Sequence, residues 1–169
     1  MIRTLWQILK TGIVTENVRG KAADDISVLG QKLSNIVKQR FRGSLTIRHV
    51  DAGSCNGCEL EIHALNNPIY NIEQFGVRFT ASPRFADMLL VTGPVTQNME
   101  IALKRTYEAT PTPKLVVAVG DCGCGCGIFS ENYATIGSID KVIPVDALIK
   151  GCPPTPAALL NGILNAIEG

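Results

Sequence analysis

Residues 114–122 read KLVVAVGDC. Between the lysine and the Gly-Asp step stand only apolar residues, Leu115 to Val119. A strand with one face in water alternates apolar and polar positions; this run does not. A short continuous apolar run of this kind is the pattern of a strand buried on both faces of a parallel sheet. Upstream, ADMLLVTG at 86–93 is a second such run, and SLTIRHVDA at 44–52 reads as a further strand. VRFTA at 77–81 is a short strand, and KVIPVDALI at 141–149 contains another. Between them, CELEIHALNNPIYNIEQFG at 58–76 reads as a helix and a connection, and QNMEIALKRTYEAT at 97–110 as an amphipathic helix. TPAALLNGILNAIE at 155–168 is a closing helix, with Thr155 as its cap and Pro156 in its first turn. Strands alternating with helices predict an α/β fold with a mostly parallel sheet.

The N-terminal quarter has a different texture. Residues 1–48 carry nine Lys/Arg against three Asp/Glu, whereas residues 49–169 carry seven against twelve. Residues 1–43 therefore read as a basic helical arm, and residues 44–169 as the α/β domain. In MIRTLWQILKTGIVTENVR at 1–19, Ile2, Leu5, Trp6, Ile8, Leu9 and Ile13 fall near one side of a helix. Such a helix docks on a partner or a membrane surface, or packs on its own domain. A second amphipathic helix is expected over 25–41, after a break at Gly20 and ADD, with Asp24 as its cap. The basic end at Lys38, Arg40 and Arg42 lacks aromatic interleaving and any nucleic-acid motif, so no nucleic-acid partner is expected. No apolar run reaches the roughly 18–20 residues that span a bilayer. The N-terminus shows neither a secretory h-region nor twin arginines, so a cytoplasmic location is expected, where six cysteines point to metal rather than disulfides.

The cysteines occupy three places: Cys55 and Cys58 in CNGC, Cys122, Cys124 and Cys126 in GDCGCGCGIF, and Cys152 in GCPPTP. Each place follows a predicted strand. In an open parallel sheet the C-terminal strand ends converge on the crevice where ligands bind, so cysteines distant in sequence can meet. Three readings compete. A [4Fe–4S] cluster takes four thiolates, and the surrounding glycines let backbone approach a bulky group. Cys152-Pro153 also has the Cys-Pro ending of ferredoxin runs. Structural zinc is the second reading, although the second C-x-x-C knuckle of a zinc ribbon is missing. A redox dithiol at CNGC is the third, and it leaves the other cysteines unexplained. No Ser-His-Asp set, P-loop or dinucleotide fingerprint is present.

GSCNGCELEI (53–62), SPRFADMLLVTGPV (82–95), PKLVVAVGDC (113–122) and IPVDALIKGCPPTPAALLNGIL (143–164) together carry a family resemblance. The chain resembles the small electron-transfer subunit of membrane-bound, energy-converting [NiFe]-hydrogenases of the formate hydrogenlyase type, homologous to the B-type subunit of complex I. The resemblance covers about residues 44–167 in order. It implies a flavodoxin-like domain holding one [4Fe–4S] cluster beside a large catalytic subunit. Matched position by position, the implied ligands are Cys55, Cys58, Cys122 and Cys152. Complex I subunits are expected to carry an adjacent Cys-Cys pair where this chain has CNGC, which favours the hydrogenase branch. The family pattern expects one cysteine before GIF; here Cys124 and Cys126 are extra thiols without an assigned role. No cysteines remain for further clusters, so one cluster is expected here.

The implied function is relay of single electrons, through one proximal cluster, to or from the large subunit's active site for proton reduction or H2 oxidation. The chain itself is a non-catalytic subunit of an oxidoreductase, and a NiFe centre belongs to the partner alone. Implied partners are the large hydrogenase-type or complex I-like subunit, a ferredoxin-like iron–sulfur subunit and membrane subunits. The complex would sit on the cytoplasmic side of the membrane, with this subunit peripheral. The alternatives are a complex I-like NADH:quinone oxidoreductase subunit whose cluster reduces quinone, and a nickel-free related complex serving another acceptor. By family analogy and charge, Arg84 is expected near the cluster, where a cation raises the potential; otherwise it is an exposed loop arginine. Glu59 is read chiefly as a helix cap, with proton relay as its other role. His49 and His63 lack ligand spacing and read as packed or interface histidines, and Asp121 as fixing its turn.

Overall fold

The computed structural model describes residues 2–11, 21–129 and 131–169. In chain order its helices and strands are α1 (Ile2–Thr11), α2 (Lys21–Arg40), β1 (Leu45–Asp51), α3 (Gly57–Ala64), β2 (Val77–Phe79), β3 (Met88–Thr92), β4 (Val95–Thr96), α4 (Gln97–Ala109), β5 (Leu115–Val119), α5 (Gly120–Gly123), β6 (Thr135–Gly137), β7 (Ala147–Ile149) and α6 (Pro156–Glu168). The main sheet has five strands in the order β2-β1-β3-β5-β7, and every pairing in it is parallel. Counting only its own strands, that order is 2-1-3-4-5, the flavodoxin-like arrangement with its switch point between β1 and β3.

The uninterrupted apolar runs have the cause expected of them. Alternate residues feed two cores, one on each face. Leu45, Ile47, Met88, Leu90, Val117 and Val119 point to the face covered by α2, α3 and α6. Val50, Leu89, Val91, Val116 and Ala118 point to the other, with Leu103 of α4, Ile139 and Ile143. With apolar partners on both sides, no position in β3 or in most of β5 is left for a solvent-facing polar residue.

Thr155 caps α6 as expected: its Oγ1 accepts the Ala158 N–H at 3.3 Å. The helix expected from residue 25 begins at Lys21, so Asp24 lies inside α2 rather than at its cap. Leu33 and Val37 of α2 are fully buried in the first core. In α1, by contrast, Ile2, Leu5, Trp6 and Leu9 are exposed; Ile13 lies outside the described residues. A small antiparallel pair, β4 with β6, was not signalled by any alternation in the sequence. Among the described residues, no helix is long and apolar enough to cross a membrane.

Candidate metal centre

The site is built from three loops at the C-terminal edge of the sheet. The first leaves β1 at Asp51, whose Oδ1 accepts the N–H groups of Gly53 and Ser54, both at 2.7 Å. Ser54 Oγ then accepts the Asn56 N–H at 3.1 Å. Asn56 turns through a left-handed conformation (φ 70°) and α3 begins at Gly57, which places Cys55 just before the helix and Cys58 in its first turn. The second loop leaves β5 and winds at once into α5, which contains Cys122. The third leaves β7 and reaches Cys152 after Gly151.

The loops interlock through sulfur. A Cβ on Gly120 would lie 2.6 Å from Cys58 Sγ, and one on Gly127 would lie 2.6 Å from Cys122 Sγ. A side chain at Gly57 would meet Cys55 Sγ at 3.6 Å and Pro153 at 3.9 Å. The first loop thus touches both the second and the third.

Electrostatics divide the six thiols. Burial pushes Cys58 up to about 12, reinforced by Glu59 and by the charges of Cys55, Cys122 and Cys152. Burial also raises Cys122; a backbone hydrogen bond at Phe129 opposes it, while Cys152, Cys55 and Asp121 add to it. Cys55, Cys58, Cys122 and Cys152 are therefore in one another's electrostatic range. Cys124 is pushed up to about 11 by burial, and its charged neighbours are Cys126, Asp121 and Lys150. Its Sγ is 3.8 Å from the carbonyl oxygens of Ala118 and Ile149, and it packs on the core of the opposite face from Cys58. Cys126 is exposed, with its Sγ 3.8 Å from Asp121 Oδ1.

The donor set fits an iron–sulfur cluster. Soft thiolates select zinc, Cu(I) or iron–sulfur. Burial disfavours the thiolate forms of Cys58 and Cys122, and a cationic centre would reverse this, since it deprotonates its ligands outright. Among the described residues, no three His, Cys, Asp or Glu side chains form a group that could hold a single metal ion. A four-iron cluster offers each cysteine its own iron corner, so its ligands need not converge on one point.

The other expected residues fall differently. Arg84 is not brought to the cysteines. It precedes β3, whereas every cysteine loop follows its strand, and a five-residue strand separates the two edges by about 16 Å. It is exposed and lines a cleft of about 400 Å³ with Arg40, Arg42 and Phe85. Glu59 does lie in the first turn of α3, but it is buried and neither carboxylate oxygen has a hydrogen-bond partner. His49 Nε2 stands 3.7 Å from Glu59 Oε1 and 3.1 Å from Thr92 Oγ1. Burial lowers the pKa of His49, against the opposing pull of Glu59 and Asp51. No spacing or motif signals this pair, because it depends on how α3 lies across β1. His63 is exposed.

Residues 55–166 match the family described as NADH ubiquinone oxidoreductase, 20 Kd subunit. The chain belongs to this family. The 20 Kd subunit match opens on Cys55 and runs into α6, so it contains all three cysteine loops. Within the family's wider circle, the chain is 50% identical over 120 residues to the Pyrococcus furiosus protein named "Probable membrane-bound hydrogenase subunit mbhJ", covering 71% of this chain and 72% of that one. It is 43% identical over 143 residues to formate hydrogenlyase subunit 7 of Escherichia coli, covering 85% of this chain and 55% of the relative. Among solved structures, a chain of the membrane-bound sulfane sulfur reductase, an archaeal respiratory membrane complex, superposes with a TM-score of 0.66 at 37% identity, over 82% of this chain and 75% of that one.

Proposed function

We propose that this chain is the electron-transfer subunit of a hydrogenase-type membrane complex, holding one [4Fe–4S] cluster on Cys55, Cys58, Cys122 and Cys152. The observation that carries the reading is the division of the thiols. These four share one electrostatic neighbourhood at the crevice edge, while Cys124 turns to the core and Cys126 to Asp121. When bound, such a cluster accepts and releases one electron at a time. The chain's own residues do the rest. Gly120 and Gly127 leave room for two of the sulfurs, and the three loops fix the ligand spacing. Cys58 and Cys122 are half-buried, whereas Cys55 and Cys152 are exposed, so the proposed partner would have to cover the open side of the site. Solvent exposure is one of the factors that tune such a cluster's potential.

The proposed partners are a large catalytic subunit at the crevice, a ferredoxin-like iron–sulfur subunit and membrane subunits, with this chain peripheral on the cytoplasmic face. A NiFe centre, if the complex has one, lies on the large subunit. A second reading has a specific support: the sulfane sulfur reductase chain is 37% identical, so a nickel-free complex serving a sulfur acceptor is the rival.

Anaerobic purification of the complex tests the metal. About four iron and four sulfide assigned to this subunit is the expected result; zinc without iron contradicts it. H2 turnover by the complex, absent from this subunit alone, supports the hydrogenase reading. Reduction of polysulfide without H2 turnover supports the rival.

A further inference from the structure

The residues that immediately precede two of the proposed ligands hold each other. Asp121 stands before Cys122 and Gly151 before Cys152. The Asp121 N–H donates to the Gly151 carbonyl at 3.0 Å, and the Gly151 N–H donates to Asp121 Oδ1 at 2.8 Å. The cause lies in the fold. The β5–β7 ladder ends at the Val119–Ile149 pair. Beyond it, β5 has already wound into α5, so no backbone carbonyl continues the ladder for Gly151. The Asp121 side chain supplies the missing acceptor. The same residue braces the rest of its loop: its carbonyl accepts the Cys126 N–H at 2.9 Å, and its Oδ1 lies 3.8 Å from Cys126 Sγ.

We propose that Asp121 is a positioning residue for the cluster, with two separable effects. Its carboxylate oxygen locks the Cys122 loop to the Cys152 loop, thirty residues away, and so fixes the distance between two ligands. Its negative charge beside Cys122 disfavours the more negative reduced cluster and keeps the potential low. This rests on the cluster reading above and adds to it a residue that no ligand motif singles out. Cys126 has a part in the same device. Its backbone is tied to Asp121, so the extra-cysteine segment braces the ligand loop without its sulfur entering the site.

Two substitutions in the purified complex separate the effects. Asp121→Asn keeps an acceptor oxygen for the Gly151 N–H and removes the charge. The expected result is a full complement of iron, unchanged g-values in electron paramagnetic resonance, and a midpoint potential shifted to more positive values. Asp121→Ala removes both, and the expected result is altered g-values or loss of iron from this subunit. A wild-type spectrum and wild-type potential in Asp121→Ala overturn the proposal. So does Asp121→Asn that loses the cluster as completely as Asp121→Ala, since the acceptor oxygen would then not be what matters. Failure of the cluster reading itself looks different: the signal would be unaffected by Cys58→Ser in the otherwise wild-type complex.

Discussion

Gly120 has no side chain because Cys58 Sγ occupies that space: an ideal Cβ would lie 2.6 Å from the sulfur. The two residues come from different strand ends, one from the turn after β5 and one from the first turn of α3. Gly120 also holds φ +83°, a conformation that a side chain strains. Gly120→Ala is therefore expected to cost about 1–3 kcal/mol of stability and to push Cys58 off its position. Denaturant unfolding checks the first effect and iron content of the purified complex the second. Wild-type iron content with wild-type stability would contradict the packing described.

Arg84 gives the opposite expectation. It lies at the N-terminal edge of the sheet with Arg40 and Arg42, about a strand length from the cysteines. Arg84→Ala is expected to leave the cluster's midpoint potential unchanged, because an exposed charge at that range is screened at physiological salt. A potentiometric titration followed by paramagnetic resonance measures this directly. A shift to lower potential would return Arg84 to the neighbourhood of the cluster.

His49 makes stability depend on pH. Burial holds its folded pKa below the ordinary value of 6.5, so the unfolded chain takes up the proton first. Its contribution is full above pH 6.5 and is lost as the pH falls through 6.5 towards the lower folded value. Unfolding free energy measured at pH 7.5 and 5.5 is expected to fall less in His49→Gln than in the wild type. An equal or steeper fall in the variant would mean that buried neutral His49 is not the source.

Much of this fold is legible because β5 is apolar throughout and β3 is apolar up to its last residue, Thr92, the pattern of strands in a parallel sheet with two covered faces. The meeting of the cysteines was legible for a related reason. Each group follows a strand, and parallel strands bring their ends to one edge. The same logic, applied to Arg84, would have placed it at the far edge, since SPRF precedes its strand. What could not be read was the direction of each thiol. Whether Cys122 or Cys124 faces the crevice depends on the single turn of α5, which sends Cys124 back towards the carbonyls of Ala118 and Ile149. The Glu59–His49 pair was hidden for a similar reason: ten residues separate them, and only the docking of α3 on β1 joins them. The start of α2 is not legible for another reason: an aspartate just before an apolar run has the pattern of a cap, yet α2 begins at Lys21 and contains Asp24.

The most direct test is a serine scan of all six cysteines in the complex, read as the low-temperature paramagnetic resonance signal of the reduced cluster. Loss or severe alteration of the signal is predicted for Cys55→Ser, Cys58→Ser, Cys122→Ser and Cys152→Ser, with a wild-type signal for Cys124→Ser and Cys126→Ser. A wild-type signal in Cys122→Ser together with its loss in Cys124→Ser or Cys126→Ser would contradict the account.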